Sequence, residues 1–163
     1  MGSRRISVTT ECFVEKDGKW LMLRRHPGKR ILPNVWIGPG GHREFCEGLF
    51  KCTRREIKEE TGLDITDLRI RATGIAYLQD IDQEFSFHIL TAKYAGGELP
   101  VEATDGEFAW LTLEEIANLD NLFAELKHLI PRLFKNDSEV MSIRAVYSKG
   151  NELVEFEIES PQP

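Results

Sequence analysis

The stretch GGHREFCEGLFKCTRREIKEETGL, residues 40–63, constrains this chain more than any other. Its second half has helical periodicity, and Gly62 stands where a left-handed residue would end a helix, so a helix is predicted over about residues 47–61. Yet Glu56, Glu59 and Glu60 crowd into a turn and a half. Like charges at i,i+4 destabilise a helix by roughly 0.2–0.5 kcal/mol per pair. At about 100° per residue, Glu60 falls about 40° from Glu56, and Glu59 about 60° to its other side. Leu49, Phe50, Thr53 and Ile57 form the stripe expected to be buried, with Lys51, Arg54, Arg55 and Lys58 on the far side. Glu56 and Glu60 thus stand on the rim of the core stripe, away from most of the helix's own cations. Carboxylates so placed can share a hard divalent cation such as Mg2+, which prefers oxygen ligands and keeps several waters. The alternative is a solvated acidic face.

The flanking sequence mixes strands and helices. ISVTTECFVEKDGKWLMLRRH reads as a hairpin turning at Asp17-Gly18, and NVWIGPGG as a short strand entering a Gly-Pro turn. LRIRATGIAYLQD, EFSFHILTAKYAGG and GEFAWL have strand composition. Thr112 with Glu115 forms a capping box that opens a helix, and NLFAELKHLIPRLF is a second amphipathic segment, expected to be interrupted or kinked at Pro131. Farther on, SEVMSIRAVYSKGNELVEFEIES reads as another hairpin around Gly150-Asn151. Val154, Phe156 and Ile158 are expected on its inner face, and Glu155, Glu157 and Glu159 on the outer. Strict βα alternation is absent, so the expectation is an α/β fold, a mixed sheet with helices on its faces.

A length of 163 residues suits one domain rather than two. No apolar run approaches the length of a bilayer span, and the N-terminus lacks the apolar stretch of a signal peptide. The opening MGS is taken as an expression scar. Cys12, Cys46 and Cys52 form neither a CxxC pair nor zinc-ligand spacing, which points to free thiols in a reducing cytoplasm. A net charge of −6 argues against duplex nucleic acid as the main partner. RRHPGKR, residues 24–30, is the local exception: a solvated loop or an attractor of phosphates.

Gly41, Glu47 and the run Arg55-Glu56-Ile57-Lys58-Glu59-Glu60-Thr61-Gly62-Leu63 fill every fixed position of the Nudix box, G-x5-E-x7-R-E-U-x-E-E-x-G-U, where U is a bulky aliphatic residue. The chain resembles the Nudix hydrolases, in particular MutT-like nucleotide pyrophosphohydrolases, through the box and more loosely over residues 5–135. That resemblance implies an α/β/α sandwich around a mixed sheet for residues 1–137. Residues 138–163 are then an extra hairpin, packed on the same domain or on a dimer partner and expected to stand apart from the box chemistry. It also implies hydrolysis of a pyrophosphate bond with Mg2+ or Mn2+. Glu56 and Glu60 would be the principal metal ligands, and Glu59 a further ligand or the base that activates water. Glu47 would support the site, with Arg55 pairing to a box carboxylate such as Glu47, beside Gly41. Family members often add an acid from outside the box. Of Glu102, Asp105 and Glu107, the choice falls on Glu107, just before FAWL.

Substrate contacts are expected from Arg24, Lys29 and Arg30 in the basic loop and from Trp36, which could stack on a base or pack in the core. His88, Phe85, Phe87, Cys46 and Cys52 read as packing residues. ADP-ribose pyrophosphatases tend to carry a proline beyond the box, and none occurs here between Pro39 and Pro100. Tyr77 is out of register with the tyrosine of dinucleoside polyphosphate hydrolases. The expected substrate is therefore an NTP or dNTP, including oxidised forms such as 8-oxo-dGTP, cleaved to NMP and pyrophosphate, with no membrane or duplex partner. The alternatives are a non-catalytic nucleotide-binding regulatory Nudix module, or hydrolysis of ADP-ribose or a dinucleoside polyphosphate.

Overall fold

Two long strands running side by side in the same direction set the frame. The computed structural model describes residues 6–162; the first five residues, with the expected scar, and Pro163 lie outside the described residues. β1 (Ile6–Lys16) pairs in parallel with β6 (Gln83–Gly96), from Ile6 opposite Glu84 to Glu15 opposite Lys93. β1 turns into β2 (Lys19–Arg25) through Asp17 and Gly18, at φ 53° and 75°. A two-residue I′ hairpin needs that pair of positive φ angles. β2 carries β3 (Trp36–Ile37) and β7 (Gly106–Leu111), while β4 (Gly40–His42) lies along β1. β5 (Asp64–Leu78) runs antiparallel to β6. β8 (Met141–Tyr147) adds in parallel to β5, and β9 (Leu153–Ile158) closes the edge antiparallel to β8.

Side chains alternate across a strand, so each face of this mixed sheet takes its own helical cover. Cys12, Val14, Leu90 and Ala92 cluster with Ile57 of α1 (Leu49–Thr61). Phe13, Met22, Ala72 and Ile89 cluster instead with Ile116 of α2 (Leu113–Ala117) and with Leu126, Leu129 and Leu133 of α3 (Ala124–Leu133). The result is an α/β/α sandwich. Gly62 ends α1 at φ 72° with its N–H on the Lys58 carbonyl, and Thr112 caps α2 through a reciprocal box with Glu115.

Three local expectations need correction. Phe50 is 43% exposed, because α1 turns Cys52 inward beside Thr10 instead, with Sγ 3.5 Å from Oγ1. Pro131 does not interrupt α3, which runs on to Leu133. The carbonyl it leaves without a helical donor belongs to Lys127, and both residues are exposed, so water can serve that carbonyl. In β9, Val146 pairs with Glu155 but Tyr147 with Leu153. Val154 is thus the extra residue of a bulge, and it is 52% exposed. Leu153, Phe156 and Ile158 take the inner places.

The C-terminal hairpin belongs to the main core, since Met141 and Ile143 are buried among the leucines of α3. Among the described residues no helix is long and apolar enough to cross a membrane. Ile143→Ala should cost about 2–5 kcal/mol, read as a lower urea midpoint at constant slope. An unchanged midpoint would detach the hairpin from the core.

Candidate active site

The carboxylate face of α1 opens on a cavity of about 490 Å³ lined by β1, β4, the loops after β2 and before β7, and the far ends of β5, β6 and β8. Glu56 and Glu60 both line it. β4 reaches them because it carries no side chains where it passes α1. A methyl group on Gly41 would overlap the Glu56 carboxylate, and one on Gly40 the Thr10 carbonyl. The Gly40 N–H donates to Glu60 Oε2 at 3.2 Å.

Arg55 organises the carboxylates around it. Its Nε and Nη2 donate to the two oxygens of Glu47 at 3.0 and 2.9 Å. Nη1 donates to Glu56 Oε1 at 2.7 Å and to Glu59 Oε2 at 3.1 Å, and Nη2 also reaches the His42 carbonyl at 3.0 Å. Glu47 is buried and takes a further bond from the Glu44 N–H at 3.0 Å. The Arg55 guanidinium, first, and that N–H bring the Glu47 pKa down to about 2, and the Glu47 and Glu56 carboxylates push Arg55 up. Glu59, which is exposed, stands at the rim and does not line the cavity.

The positive groups facing these acids are Arg25 and Lys29. Lys29 forms an ion pair with Asp105, whose carbonyl accepts the His26 N–H at 2.8 Å. Arg25 Nε donates to the Ile31 carbonyl at 3.1 Å. Burial lowers the Arg25 pKa, and the carboxyls of Asp105, Glu60 and Glu11 oppose that. Strand parity decides which residues take part. Arg24 lies opposite Glu107 in the β2–β7 ladder, and Arg25 opposite Gly106. Successive side chains leave a strand on opposite sides, so Arg24 and Glu107 meet each other outside, 3.8 Å apart, with side chains 41% and 77% exposed. Glu107 and Arg24, both expected at the site, therefore do not line the cavity; Asp105 and Arg25 do. Arg30 is exposed and outside it. Trp36 packs against the core cluster under α2 and α3, and its backbone bonds to Asn121 and Phe123. It does not line the cavity.

The far end of the cavity is apolar and comes from distant parts of the chain. Ala76, Leu78, Phe85, Phe87, Phe123 and Tyr147 line it, so Phe85 and Phe87 pack in the core and wall the cavity at once. Two carboxyls, Glu11 and Glu125, are set among them. Glu11 Oε1 accepts the Gly38 N–H at 2.7 Å, and Glu125 Oε1 the Tyr147 hydroxyl at 2.8 Å. Tyr147 and Asn151 come from the C-terminal hairpin, so that hairpin does not stand apart from the site. Glu11 carried a legible signal, as the one charged residue in the stretch from Ile6 to Val14, whereas nothing local separates Arg25 from its neighbour Arg24. Glu125 and Tyr147 carried none, because their meeting depends on how α3 crosses the sheet. His88 lies elsewhere, with Nδ1 3.0 Å from Thr73 Oγ1.

Burial raises Glu60 to about 7, with Asp105 and Glu56 adding to the effect and the Gly40 N–H opposing it. Burial likewise raises Glu11 to about 8 and Glu125 to about 7. The folded protein thus binds more protons than the unfolded chain between about 4.5 and these values. Their contribution is full below that window and is lost as pH rises through it. Metal-free protein should therefore melt at progressively lower temperature from pH 5 to pH 8, and Glu125→Gln should flatten the slope. Calorimetry in EDTA that gives parallel curves for both proteins would show Glu125 ionising as freely in the folded state as in the unfolded one.

The donor set fits a hard divalent cation. Among the described residues no three His, Cys, Asp or Glu side chains already converge as a ligand cluster. Glu56, Glu60 and Asp105 nevertheless line the same cavity, and all three offer oxygen only. Two or three carboxylate oxygens suffice for Mg2+, which keeps waters in its remaining positions.

The NUDIX domain matches this chain over residues 4–133. The m7GpppN-mRNA hydrolase NUDT17 of Xenopus laevis is 42% identical over 73 residues, 44% of this chain and 25% of that protein. The chain thus spans about a quarter of the length of that relative. Nucleoside triphosphatase NudI of Salmonella typhimurium is 26% identical over 119 residues, 66% of this chain and 83% of that protein. The crystal structure of a MutT mutator protein from Bacillus halodurans superposes with a TM-score of 0.81 at 21% identity, covering 96% of this chain and 99% of that one, which shows a shared fold. Because the domain match runs through the carboxylate helix and the sheet beneath it, this chain belongs to the Nudix family of hydrolases.

Proposed function

We propose that this protein hydrolyses a phosphoric anhydride bond of a nucleoside triphosphate, releasing the monophosphate and pyrophosphate, with Mg2+ or Mn2+ held by Glu56 and Glu60. One observation carries the reading: a single cavity joins that carboxylate wall, the cations Arg25 and Lys29, and an apolar aromatic end. A polyphosphate tail suits the first two, and a nucleobase the third. The volume of about 490 Å³ suits one nucleotide. The relative named as a nucleoside triphosphatase, matched over most of its length, supports this substrate class over capped RNA. Cys12, Cys46 and Cys52, all free thiols, suit a reducing cytoplasm.

A divalent ion at this wall would neutralise phosphate oxygens and lower the pKa of water there. The chain's own groups do the rest. Arg55 holds the Glu56 carboxylate in place, with Glu47 holding Arg55 in turn. The Gly40 N–H orients Glu60. Arg25 and Lys29 draw in and steady the polyphosphate. Asp105 takes the part of the outside acid, either as a further ligand or as the group that accepts a proton from water, and Glu59 at the rim is the other candidate for that proton.

Turnover of a panel containing NTPs, dNTPs, 8-oxo-dGTP, ADP-ribose, a dinucleoside polyphosphate and an mRNA-cap analogue tests the reading. Pyrophosphate should appear from triphosphates with Mg2+, cease with EDTA and return on adding the ion. Binding of nucleotides without any turnover would favour a regulatory module instead. Glu60→Gln should lower kcat on the order of a hundredfold with folding intact. Asp105→Asn should cost about 10–100-fold, while Glu107→Gln should stay within about twofold because it is a surface change. A harmful Glu107→Gln with a silent Asp105→Asn would return the role to Glu107.

A further inference from the structure

We infer that the C-terminal hairpin is part of the substrate site: Tyr147 is a positioning residue that aims Glu125 at the nucleoside, and Asn151 completes that wall. This inference rests on the nucleotide reading above and adds a determinant of specificity to it.

The geometry of the pair is unusual for a purely structural contact. Glu125 and Tyr147 are 2% and 3% exposed, yet both line the cavity. Among the described residues, the Tyr147 hydroxyl makes the one hydrogen bond to the Glu125 carboxyl, at Oε1. No buried polar side-chain atom there lacks a partner. The second oxygen carries no such bond and is therefore not wholly buried, on a side chain that lines the cavity.

A glutamate has three rotatable side-chain bonds, so something must hold it if it is to discriminate between ligands. Tyr147 is well placed for that. Its backbone is paired on both sides, with Leu78 of β5 and Leu153 of β9, and its carbonyl accepts the Gln79 N–H at 3.0 Å. Its ring lies parallel to Phe123, with centroids 5.8 Å apart and planes 7° apart. Phe123 directly precedes α3, and Glu125 sits in its first turn. The phenol and the carboxyl are thus fixed to each other by the ring stack as well as by the hydrogen bond. Asn151 reaches the same wall from the β8–β9 turn at φ 62°, its N–H on the Ser148 carbonyl at 3.1 Å.

The ligand class follows from the chemistry of a buried carboxyl. A carboxyl raised to about 7 presents both donor and acceptor character near neutral pH. That suits a base edge on which a carbonyl and an N–H stand side by side. A site that hydrogen-bonds such an edge penalises ligands lacking it, because its own buried groups are left unpaired.

The test compares the wild-type protein with Tyr147→Phe, which keeps the ring, and with Asn151→Ala. Two readouts are taken in Mg2+: kcat and KM across bases, and binding of α,β-methylene triphosphate analogues by calorimetry. Melting temperatures serve as the control. Tyr147→Phe should raise KM and Kd for the preferred base about tenfold, leave kcat unchanged and narrow the spread between bases. Asn151→Ala should do the same to a smaller degree, which keeps the test open if Tyr147→Phe folds poorly. Unchanged KM, Kd and base preference in both variants would overturn the inference even if melting falls, leaving a bond that only ties the hairpin to α3. Base-selective binding that the variants lose, without any turnover, would support the hairpin's role while overturning the hydrolase reading. Neither binding nor turnover in the wild type would overturn both.

Discussion

The Arg55 guanidinium is the interaction on which the rest of the site depends. Three acidic side chains on little more than one turn of α1 would repel each other in isolation. Arg55 meets Glu56 and Glu59 from their own helix and grips Glu47 from the preceding loop with a two-pronged contact. Charge-assisted bonds of this kind are roughly twice as strong as neutral ones. The network also ties the loop before α1 to the helix through the His42 carbonyl, so the two glycines of β4 stay pressed against the carboxylates. Glu60 lies outside the grip of Arg55. It is the box glutamate that burial and its neighbours raise toward neutrality. One helix face therefore holds a carboxylate gripped by Arg55 beside another that accepts the Gly40 N–H.

The cavity has two chemically distinct halves, and β1 serves both. Thr9 and Thr10 stand opposite His42 and Gly41 of β4, and the Glu11 carboxyl lies near Arg25 and Glu125. Arg25 stands where the halves meet, with acids on either side. A polyanion entering there would exchange those carboxylate neighbours for phosphate oxygens, which a guanidinium binds with the same planar geometry.

Features governed by near neighbours were legible in the sequence. The Asp17-Gly18 turn, the Gly62 terminus, the Thr112 capping box and the glutamate helix all depend on residues within a few positions of each other. Choices that depend on strand parity were not. Arg24 and Arg25 are adjacent, and the register of β2 against β7 sends Arg24 and Glu107 outward together, whereas Asp105 lies in the loop before β7 and escapes that alternation. Trp36 read as amphipathic, and it is half-buried against the core cluster. The bulge at Val154 put Leu153 in its place on the inner face of β9, which alternation alone cannot foresee. The Glu125–Tyr147 pair needed the crossing of α3 over the sheet before it could exist.

The parallel seam between β5 and β8 has a consequence for how the molecule is made. Synthesis runs from the N-terminus, and domains begin to organise as they emerge. The helix that bears Glu56 and Glu60 is complete by Thr61, whereas the wall it faces waits for Tyr147 and Asn151. A ribosome-bound chain can thus carry the carboxylate helix while the apolar end of the cavity remains unbuilt. A nascent chain stalled before β8 would present its acids to solvent with the opposite wall of the cavity missing.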